Sequence, residues 1–221
     1  MKLVTLTSGV GVVTPKDLNY LPEILEWVAA TQLTGLKVTV EGDGVTCDID
    51  ANGLNAFRGL ADNGQVTNGS RIQLTNGLIS NKVVTLEFTN SAVQAPDVYA
   101  NSEETPTKRG MVPSYFQYLK QKAFGGQPSE YDNFGAIAFP SIAAADYLNV
   151  EFADGTIQKF ERQELTFRLQ ETQNEVNTPI YILDNISPGV TRSIKSVSFY
   201  PVADQTVYIM RVIPAGPVPV T

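Results

Sequence analysis

Residues 48–53, with the sequence DIDANG, come closest to a known ligand-binding pattern. Asp48, Asp50 and Asn52 alternate as oxygen donors do in the first half of a calcium-binding loop, and the glycine that follows allows a sharp turn. The twelfth position of such a loop is a bidentate Glu, whereas here it is Gly59. A turn in which Asp50 caps a short helix explains the same residues and is favoured, with calcium at a subunit contact as the alternative.

A second group of residues concentrates positive charge in a protein whose net charge is −7. Its members are Lys108, Arg109, Lys120 and Lys122. Aromatic side chains are interleaved with them, and this mixture could face anionic lipid headgroups or packaged nucleic acid. The alternative is a helix over residues 113–124 that covers the end of a barrel and keeps its lysines in water. The negative net charge predicts no sequence-specific nucleic-acid partner.

Residues that would support catalysis are scarce. The sequence has no His and one Cys, Cys47, which excludes Ser-His and Cys-His nucleophile pairs, imidazole zinc sites and an intrachain disulfide. Glu103 and Glu104 are adjacent in a polar stretch, so their spacing does not place them on two sides of one substrate. We therefore predict that the protein is not an enzyme, has no catalytic residues and needs no cofactor, with Cys47 as an inert core thiol.

Short strands organise most of the sequence. Hydrophobic residues make up 43% of the chain and charged residues 18%, which is enough apolar surface for a core. Apolar and polar side chains alternate in residues 36–41, 72–75, 84–89, 148–152, 180–182, 197–199 and 207–212. Asp-Gly and Asn-Gly pairs, which favour turns, occur at residues 43–44, 52–53, 63–64, 68–69, 76–77 and 154–155. This pattern predicts an all-β sandwich or barrel.

Few helices are expected. Residues 50–60 place apolar side chains on one side of a short helix. Residues 113–124 form a second candidate, because Pro113 suits the first turn of a helix. Residues 21–31 fit either a helix or a buried strand.

The order of elements repeats between the two halves of the sequence. Residues 36–40 and their Asp-Gly pair correspond to residues 148–152 and the pair at 154–155. Residues 54–58, 68–74 and 84–88 have their counterparts at 165–168, 177–182 and 195–199. Residues 101–110 are polar and read as a linker. We predict two tandem barrels, residues 1–103 and 104–221. The second barrel ends in an extended Pro-rich tail at residues 214–221.

The amino-terminal residues lack the continuous apolar centre of a secretory signal, so we expect synthesis in a cytoplasm. No window of the sequence approaches the eighteen apolar residues of a membrane-spanning helix.

The tandem barrels, the segment 100–124 with Pro113-Ser114-Tyr115, and the strand-turn at residues 150–155 together resemble a known family. They look like the double jelly-roll major capsid proteins of tailless, membrane-containing phages, especially of the corticovirus type. The resemblance implies a homotrimer with a pseudo-sixfold outline that builds an icosahedral shell, with its barrels upright. It also implies a location in the virion after synthesis in the host cytoplasm. Neighbouring capsomers, minor capsid or spike proteins and an internal viral membrane would be its partners.

Two other functions remain open from the sequence. The chain could be another virion component, such as a spike, tail or minor capsid protein, which would be present in few copies. It could also be a carbohydrate-binding β-sandwich module, which would need aromatic side chains lining an exposed sheet face.

Overall fold

The computed structural model describes residues 1–28, 33–61, 69–77, 79–90, 96–100, 114–162, 181–185 and 192–214. The strands of the first half are β1 (Lys2–Thr5), β2 (Val12–Leu21), β3 (Ile24–Val28), β4 (Leu33–Val40), β5 (Gly44–Asp50), β6 (Gly69–Gln73), β7 (Ile79–Asn90) and β8 (Asp97–Ala100). A helix, α1 (Ala51–Ala61), lies between β5 and β6. The strands of the second half are β9 (Ser114–Ala123), β10 (Ser129–Asp132), β11 (Ala136–Phe139), β12 (Tyr147–Phe152), β13 (Ile157–Glu161), β14 (Tyr181–Asp184), β15 (Ile194–Tyr200) and β16 (Gln205–Pro214).

Strand pairing is the same in the two halves. In the first half the strand orders are β1-β8-β3-β6 and β2-β7-β4-β5, and in the second half they are β9-β16-β11-β14 and β10-β15-β12-β13. Adding eight to each strand number of the first half therefore gives the strand order of the second half. Two such four-stranded antiparallel groups form a jelly roll, so the prediction of a double jelly roll is confirmed. The predicted repeat is confirmed where β4 matches β12 and β7 matches β15, whereas residues 165–168 lie outside the described residues.

Glycines close the two corresponding hairpins. Gly44 follows Asp43 at the start of β5 with φ +77°, and Gly155 follows Asp154 between β12 and β13 with φ +82°. A side chain would strain the backbone in this left-handed region, so the Asp-Gly pairs set these turns as predicted.

The two jelly rolls share a continuous sheet. Strand β5 of the first half lies beside β9 of the second in a parallel pair, with Cys47 opposite Tyr118. Because the two strands run in the same direction, α1, which follows β5, and residues 124–128, which follow β9, lie at the same end of the molecule. The halves are therefore side by side and point the same way.

The predicted helix over residues 113–124 is wrong, because residues 114–123 form strand β9. All ten of these residues pair with β16, from Ser114 opposite Pro214 to Ala123 opposite Gln205. Buried and partly buried side chains alternate through its first half, which fits a strand covered on one face. Pairing on both sides of β9 prevails over the Pro-led helical pattern, because it satisfies the backbone with neighbouring strands.

The helix predicted at residues 50–60 is confirmed as α1. The Asn52-Gly53 pair, predicted as a turn, is instead in the first turn of this helix. The ambiguous segment 21–31 resolves into strand: Leu21 ends β2 and residues 24–28 form β3, while residues 29–31 lie outside the described part. The linker at 101–110 and the tail from residue 215 also lie outside it. In the part of the chain that the structure describes, no helix is long and apolar enough to cross a membrane.

Apolar side chains form two buried clusters, and the division between them does not follow the division between the halves. Strand β11 shows this most clearly, because all four of its residues are buried. Ala136 and Ala138 belong to the cluster of the first half, while Ile137 and Phe139 belong to that of the second. A sheet that is buried on both faces joins its neighbours into one packed body.

Candidate functional site

Helix α1 packs on the second jelly roll at the contact between the halves, which we call the joint. The ring of Phe57 on α1 lies 5.1 Å from the ring of Tyr118 on β9, measured between centroids. Gly53 approaches β16 so closely that a Cβ atom there would lie 2.8 Å from Cδ1 of Tyr208 and 2.9 Å from Cβ of Ile49. The first turn of α1 therefore requires a residue without a side chain.

Asp50 is the polar centre of the joint. Its Oδ1 atom accepts hydrogen bonds from the backbone amides of Asn52 at 3.1 Å and Gly53 at 3.2 Å, as an N-cap residue does. The same oxygen accepts the hydroxyl hydrogen of Tyr208 at 2.6 Å. Burial, followed by the bond to the Asp50 carboxylate, raises the pKa of Tyr208, so its hydroxyl stays protonated as a donor. Asp50 thereby connects the helix start in one half to the last strand of the other.

Further hydrogen bonds extend the joint along the edge of β9 that faces the first half. The amide of Phe116 donates to the carbonyl of Leu74 at 2.8 Å, and the amide of Ser114 donates to Oδ1 of Asn76 at 2.8 Å. The Tyr118 hydroxyl donates to a backbone carbonyl of the first half, that of Gln73, at 2.6 Å. The first half thus satisfies polar groups of the strand that begins the second half, which a flexible tether would not do.

A row of alternating charge crosses the joint on neighbouring strands. Lys37 lies opposite both Glu87 and Asp48 in the strand register, and its Nζ is 3.8 Å from Oε2 of Glu87. Lys120 Nζ on β9 is 3.6 Å from Oδ1 of Asp48 on β5. These side chains are about half exposed, so each pair contributes only about 0–1 kcal/mol to stability. The two lysines and the two carboxylates of this row therefore neutralise one another at the surface.

Cys47 lies beneath this row and is fully buried. Burial, followed by the nearby Asp48 carboxylate, raises the pKa of its thiol. Its sulfur donates to the carbonyl oxygen of Leu36 at 3.7 Å. A protonated, buried thiol is a poor nucleophile, which agrees with the predicted core position.

The predicted calcium ligands lie at the joint with other partners. Asp48 pairs with Lys120, Oδ1 of Asp50 receives three hydrogen bonds, and Asn52 is exposed on α1. Among the residues that the structure describes, no group of three or more His, Cys, Asp or Glu side chains could hold a metal ion. The favoured interpretation, in which Asp50 caps a helix, matches this geometry, and calcium binding stays a prediction.

The basic residues that can be located are in ion pairs. Lys120 and Lys122 lie two positions apart on β9 rather than on a helix. Nζ of Lys122 is 2.7 Å from Oδ2 of Asp204 and 4.8 Å from the ring centroid of Phe124. Lys108 and Arg109 lie outside the described residues, so the contribution of the whole cluster to a lipid or nucleic-acid contact stays a prediction.

Sequence analysis did not find the residues that close the joint. Tyr208 and Asp50 are 158 positions apart, and nothing in either local sequence indicates the other. The one available signal was Gly53, because a glycine inside a helix is unfavourable unless a close contact requires it.

Comparisons with known proteins address the fold directly. No protein-family model matches the sequence, and no curated protein sequence matches it. The major capsid protein of bacteriophage PM2 is similar in structure, with a TM-score of 0.56 over 98% of this chain and 98% of that chain, at 14% sequence identity. The STIV major capsid protein is similar with a TM-score of 0.59 over 96% of this chain and 94% of that chain, at 10% identity. The resemblance inferred from the sequence is therefore confirmed at the level of the fold.

Proposed function

We propose that this chain is a structural virion protein, a major capsid protein that self-assembles into a closed shell. One observation carries the proposal: the two jelly rolls are fused through the joint into one body, in the fold of two major capsid proteins, over nearly the full length of each. A shell subunit needs a fixed shape that repeats its contacts in each copy. The joint supplies that rigidity, and such a role requires no catalytic group.

The exposed sheet faces fit lateral contact between copies. On the outer face of the second jelly roll, Lys195 Nζ is 2.6 Å from Oε1 of Glu151, and Lys159 Nζ is 3.2 Å from Oε1 of Glu161. Surfaces whose charges are already paired approach one another with little repulsion, whereas unpaired like charges would oppose assembly.

The same face argues against the alternative of a carbohydrate-binding module. Tyr147 and Tyr200 stack on each other with centroids 4.4 Å apart, and the ammonium of Lys159 lies 4.3 Å from the centroid of Tyr147. Strands β15 and β13 flank β12, so Tyr147 already has a ring partner on one neighbouring strand and an ammonium partner on the other, and a sugar ring would have to displace one of them to stack there.

The decisive experiment is the mass and shape of the purified chain in solution. The proposal expects a trimer of about 72 kDa, three copies of the 24.0 kDa chain, by light scattering, and closed shells by electron microscopy at higher concentration. A chain that stays monomeric at high concentration and is missing from particles would contradict the proposal. A chain present in only a few copies per particle would favour a spike or minor capsid protein.

An internal membrane beneath the shell is a further part of the proposal, supported by the basic residues near β9. If Lys120 and Lys122 face lipid, replacing both with Gln should weaken association with vesicles that contain anionic lipid. Lys159→Gln is the matched control, because this lysine also has a carboxylate partner but lies on the outer sheet face. Unchanged vesicle association in the double variant would exclude that role. Synthesis in the host cytoplasm is also part of the proposal.

A further inference from the structure

The joint brings together one outer edge of each jelly roll. Strand β5, at the end of the order β2-β7-β4-β5, lies beside β9, at the start of the order β9-β16-β11-β14. The strands that correspond to β5 and β9 in the opposite halves are β13 and β1. In the part of the chain that the structure describes, β13 and β1 are the outermost strands of their sheets. One chain therefore carries both sides of a second joint, at two different places on its surface.

Strand β13 repeats the position of β5 within its jelly roll. Cys47 on β5 and Gln158 on β13 lie opposite corresponding valines of β4 and β12. Asp48 and Lys159 come next on the two strands, and both are exposed. Asp48 reaches across the joint to Lys120 on β9. Lys159 therefore marks the position on β13 from which a side chain would reach a strand docked beside it.

The sheet that begins with β1 matches the sheet that begins with β9. Tyr99 on β8 lies opposite Lys2 on β1, as Tyr208 on β16 lies opposite Lys120 on β9. Both tyrosines face away from the core of their own jelly roll, since Tyr208 packs into the cluster of the first half and the neighbours of Tyr99 on β8 are buried in that cluster. Tyr208 is 1% exposed, whereas Tyr99 is 38% exposed. The exposed ring of Tyr99 is thus the counterpart of a ring that the joint covers.

We propose that the joint is repeated between copies, with the β13 edge of one chain docked against β1 and β8 of a second copy. This inference rests on the proposed capsid function and names the two surfaces through which the subunit associates with itself. Because two different surfaces meet, the contact is heterologous and continues from copy to copy until a ring closes. In the proposed trimer, three such contacts and three joints link six jelly rolls in one closed ring.

The charges on the two surfaces permit this approach. Docking in the manner of the joint brings Lys159 of one copy beside Lys2 of the next, because the side chains at the corresponding positions of the joint lie 3.6 Å apart. Each lysine already has a carboxylate: Lys159 Nζ is 3.2 Å from Oε1 of Glu161, and Lys2 Nζ is 2.7 Å from Oδ1 of Asp97. Two cations and two anions therefore meet, which is the same balance as in the charge row of the joint.

The two surfaces are more polar than the joint. Gln158 takes the position of the fully buried Cys47, and Lys2 is exposed beside Tyr99. Ile157 at the start of β13 is 69% exposed and adds an apolar side chain to this edge. A contact inside one chain is permanent and resembles a core, whereas surfaces that meet only on association keep more polar groups. The difference in polarity is therefore the one expected between the joint and its repeat between copies.

Crosslinking of the unmodified chain tests the contact. A short amine-reactive crosslinker joins neighbouring lysines, and mass spectrometry of mixed isotope-labelled and unlabelled chains identifies the links between copies. We expect links from Lys159 of one copy to Lys2 of another, roughly ten-fold more abundant than links from Lys159 to Lys16. Lys16 is the matched control, because it also belongs to the first half but lies on β2, at the far edge of the eight-stranded sheet. A missing Lys159–Lys2 link, or equal abundance of the two links, would overturn the inference.

Cysteine variants test that the contact joins two different surfaces. Because Cys47 is buried, Lys2→Cys and Lys159→Cys each supply a single accessible thiol. With a bismaleimide, neither variant should crosslink to itself, a mixture of the two should give covalent dimers, and the double variant should give covalent trimers. Dimers formed by one variant alone would reveal a contact of like with like and overturn the inference. Products of more than three chains from the double variant would overturn the closed ring.

Light scattering before crosslinking separates this inference from the proposed function. If the chain is a trimer in which Lys2 and Lys159 do not link, the assignment of the two surfaces is wrong and the proposed function stands. A chain that stays monomeric at high concentration contradicts both. Each cysteine variant is crosslinked only when its mass matches that of the unmodified trimer. If a variant does not form trimers, the lysine links of the unmodified chain decide.

Discussion

The hydroxyl of Tyr208 donates a hydrogen bond to Oδ1 of Asp50 at 2.6 Å, across 158 positions of the sequence. The same oxygen accepts the amides of Asn52 and Gly53 at the start of α1. One carboxylate oxygen therefore holds the helix of the first jelly roll and the last strand of the second. Because β9, β16 and α1 all pack there, the joint should govern the stability of the whole chain.

Tyr208→Phe keeps the ring and removes only the hydroxyl donor. We expect the free energy of unfolding to fall by about 1.5–3 kcal/mol, because the lost bond is partly buried and has a charged acceptor. Urea unfolding followed by circular dichroism measures this change. Tyr99→Phe is the control: its hydroxyl bonds Asp97 at 3.2 Å on the exposed surface, so its loss should stay below about 0.5 kcal/mol. Equal losses of stability in the two variants would show that the Tyr208–Asp50 hydrogen bond stabilises the fold no more than the exposed Tyr99–Asp97 bond does.

Gly53→Ala tests the close approach of α1 to β16. In an exposed helix this change stabilises by about 1 kcal/mol, because Ala has the higher helix propensity. Here the new Cβ would lie 2.8 Å from the Tyr208 ring, so we expect a net destabilisation of about 1–3 kcal/mol. Asn55→Ala on the exposed side of α1 is the matched control and should be neutral or slightly stabilising. A stabilised Gly53→Ala variant would show that the joint can accommodate the new Cβ atom without a loss of stability.

Local signals were enough to predict much of the fold. Alternating side chains located β4, β7, β12, β15 and β16, and the Asp-Gly pairs at residues 43–44 and 154–155 located the two hairpins. The order of these elements, repeated in both halves, predicted two barrels of the same topology. Strand pairing confirms that prediction, because a turn and an alternating pattern together restrict how a strand can pair.

The joint could not be predicted in the same way. Phe116 and Tyr118 already lie on either side of the polar Gln117, but Pro113 and the good helix formers at residues 119–123 favoured a helix. Only pairing with β16, some 90 positions away, makes the segment a strand. Asp50 was correctly predicted as a helix cap, because capping is local. Its bond to Tyr208 depends on how the two jelly rolls are placed, and no local pattern encodes that.

Stability should decrease in alkaline solution. Burial raises the pKa of Cys47, Tyr118 and Tyr208 in the folded chain above 9.0 for a thiol and 10.0 for a phenol. A group whose pKa is raised by folding contributes fully below its unfolded pKa, and this contribution is lost as the pH rises toward the folded value. We therefore expect no loss from these groups up to about pH 9. Above the unfolded pKa of each group, which is 9.0 for Cys47 and 10.0 for the two tyrosines, stability should decrease by about 1.4 kcal/mol per pH unit for that group.

Urea unfolding at a series of pH values from 8 to 11 measures this slope. Cys47→Ala should flatten the curve first, just above the thiol pKa of 9.0, whereas Tyr208→Phe should flatten it only above 10.0. Both variants lower the stability at pH 8, so the slope and not the level is the readout. An unchanged slope in both variants would contradict the assignment of alkaline sensitivity to these buried groups.

Calcium should leave the stability of the isolated chain nearly unchanged. Oδ1 of Asp50 already has three donors, and Asp48 has Lys120 as its partner. We expect Tm in millimolar CaCl2 to lie within about 1 °C of Tm in EDTA, because a ligand stabilises only a state that it binds. If calcium instead sits at a subunit contact, as the DIDANG pattern allows, it should promote association in light scattering, and Asp48→Asn should abolish that effect. A large rise in Tm of the monomer would show a site within one chain.

Asp146→Asn tests how the loops at residues 140–146 and 201–204 are held together. The carboxylate accepts amides from two loops, Ala143 at 2.7 Å and Val202 at 2.6 Å, on different oxygens. An Asn side chain has the same size but only one acceptor, so its NH2 group would face one of these donors. Because the site is 1% exposed, we expect the free energy of unfolding to fall by about 2–4 kcal/mol. Hydrogen exchange should accelerate at the Val202 or Ala143 amide, whichever faces the NH2 group. Asp204→Asn is the matched control at the same end, because Asn keeps the Oδ1 acceptor for the Gly125 amide and loses only the exposed ion pair with Lys122, which should have little effect on stability. If Asp146→Asn left both amides protected, the loop at residues 201–204 would be held instead by its close backbone contact with Gly125, where a Cβ atom would lie 2.7 Å from Cα of Ala203.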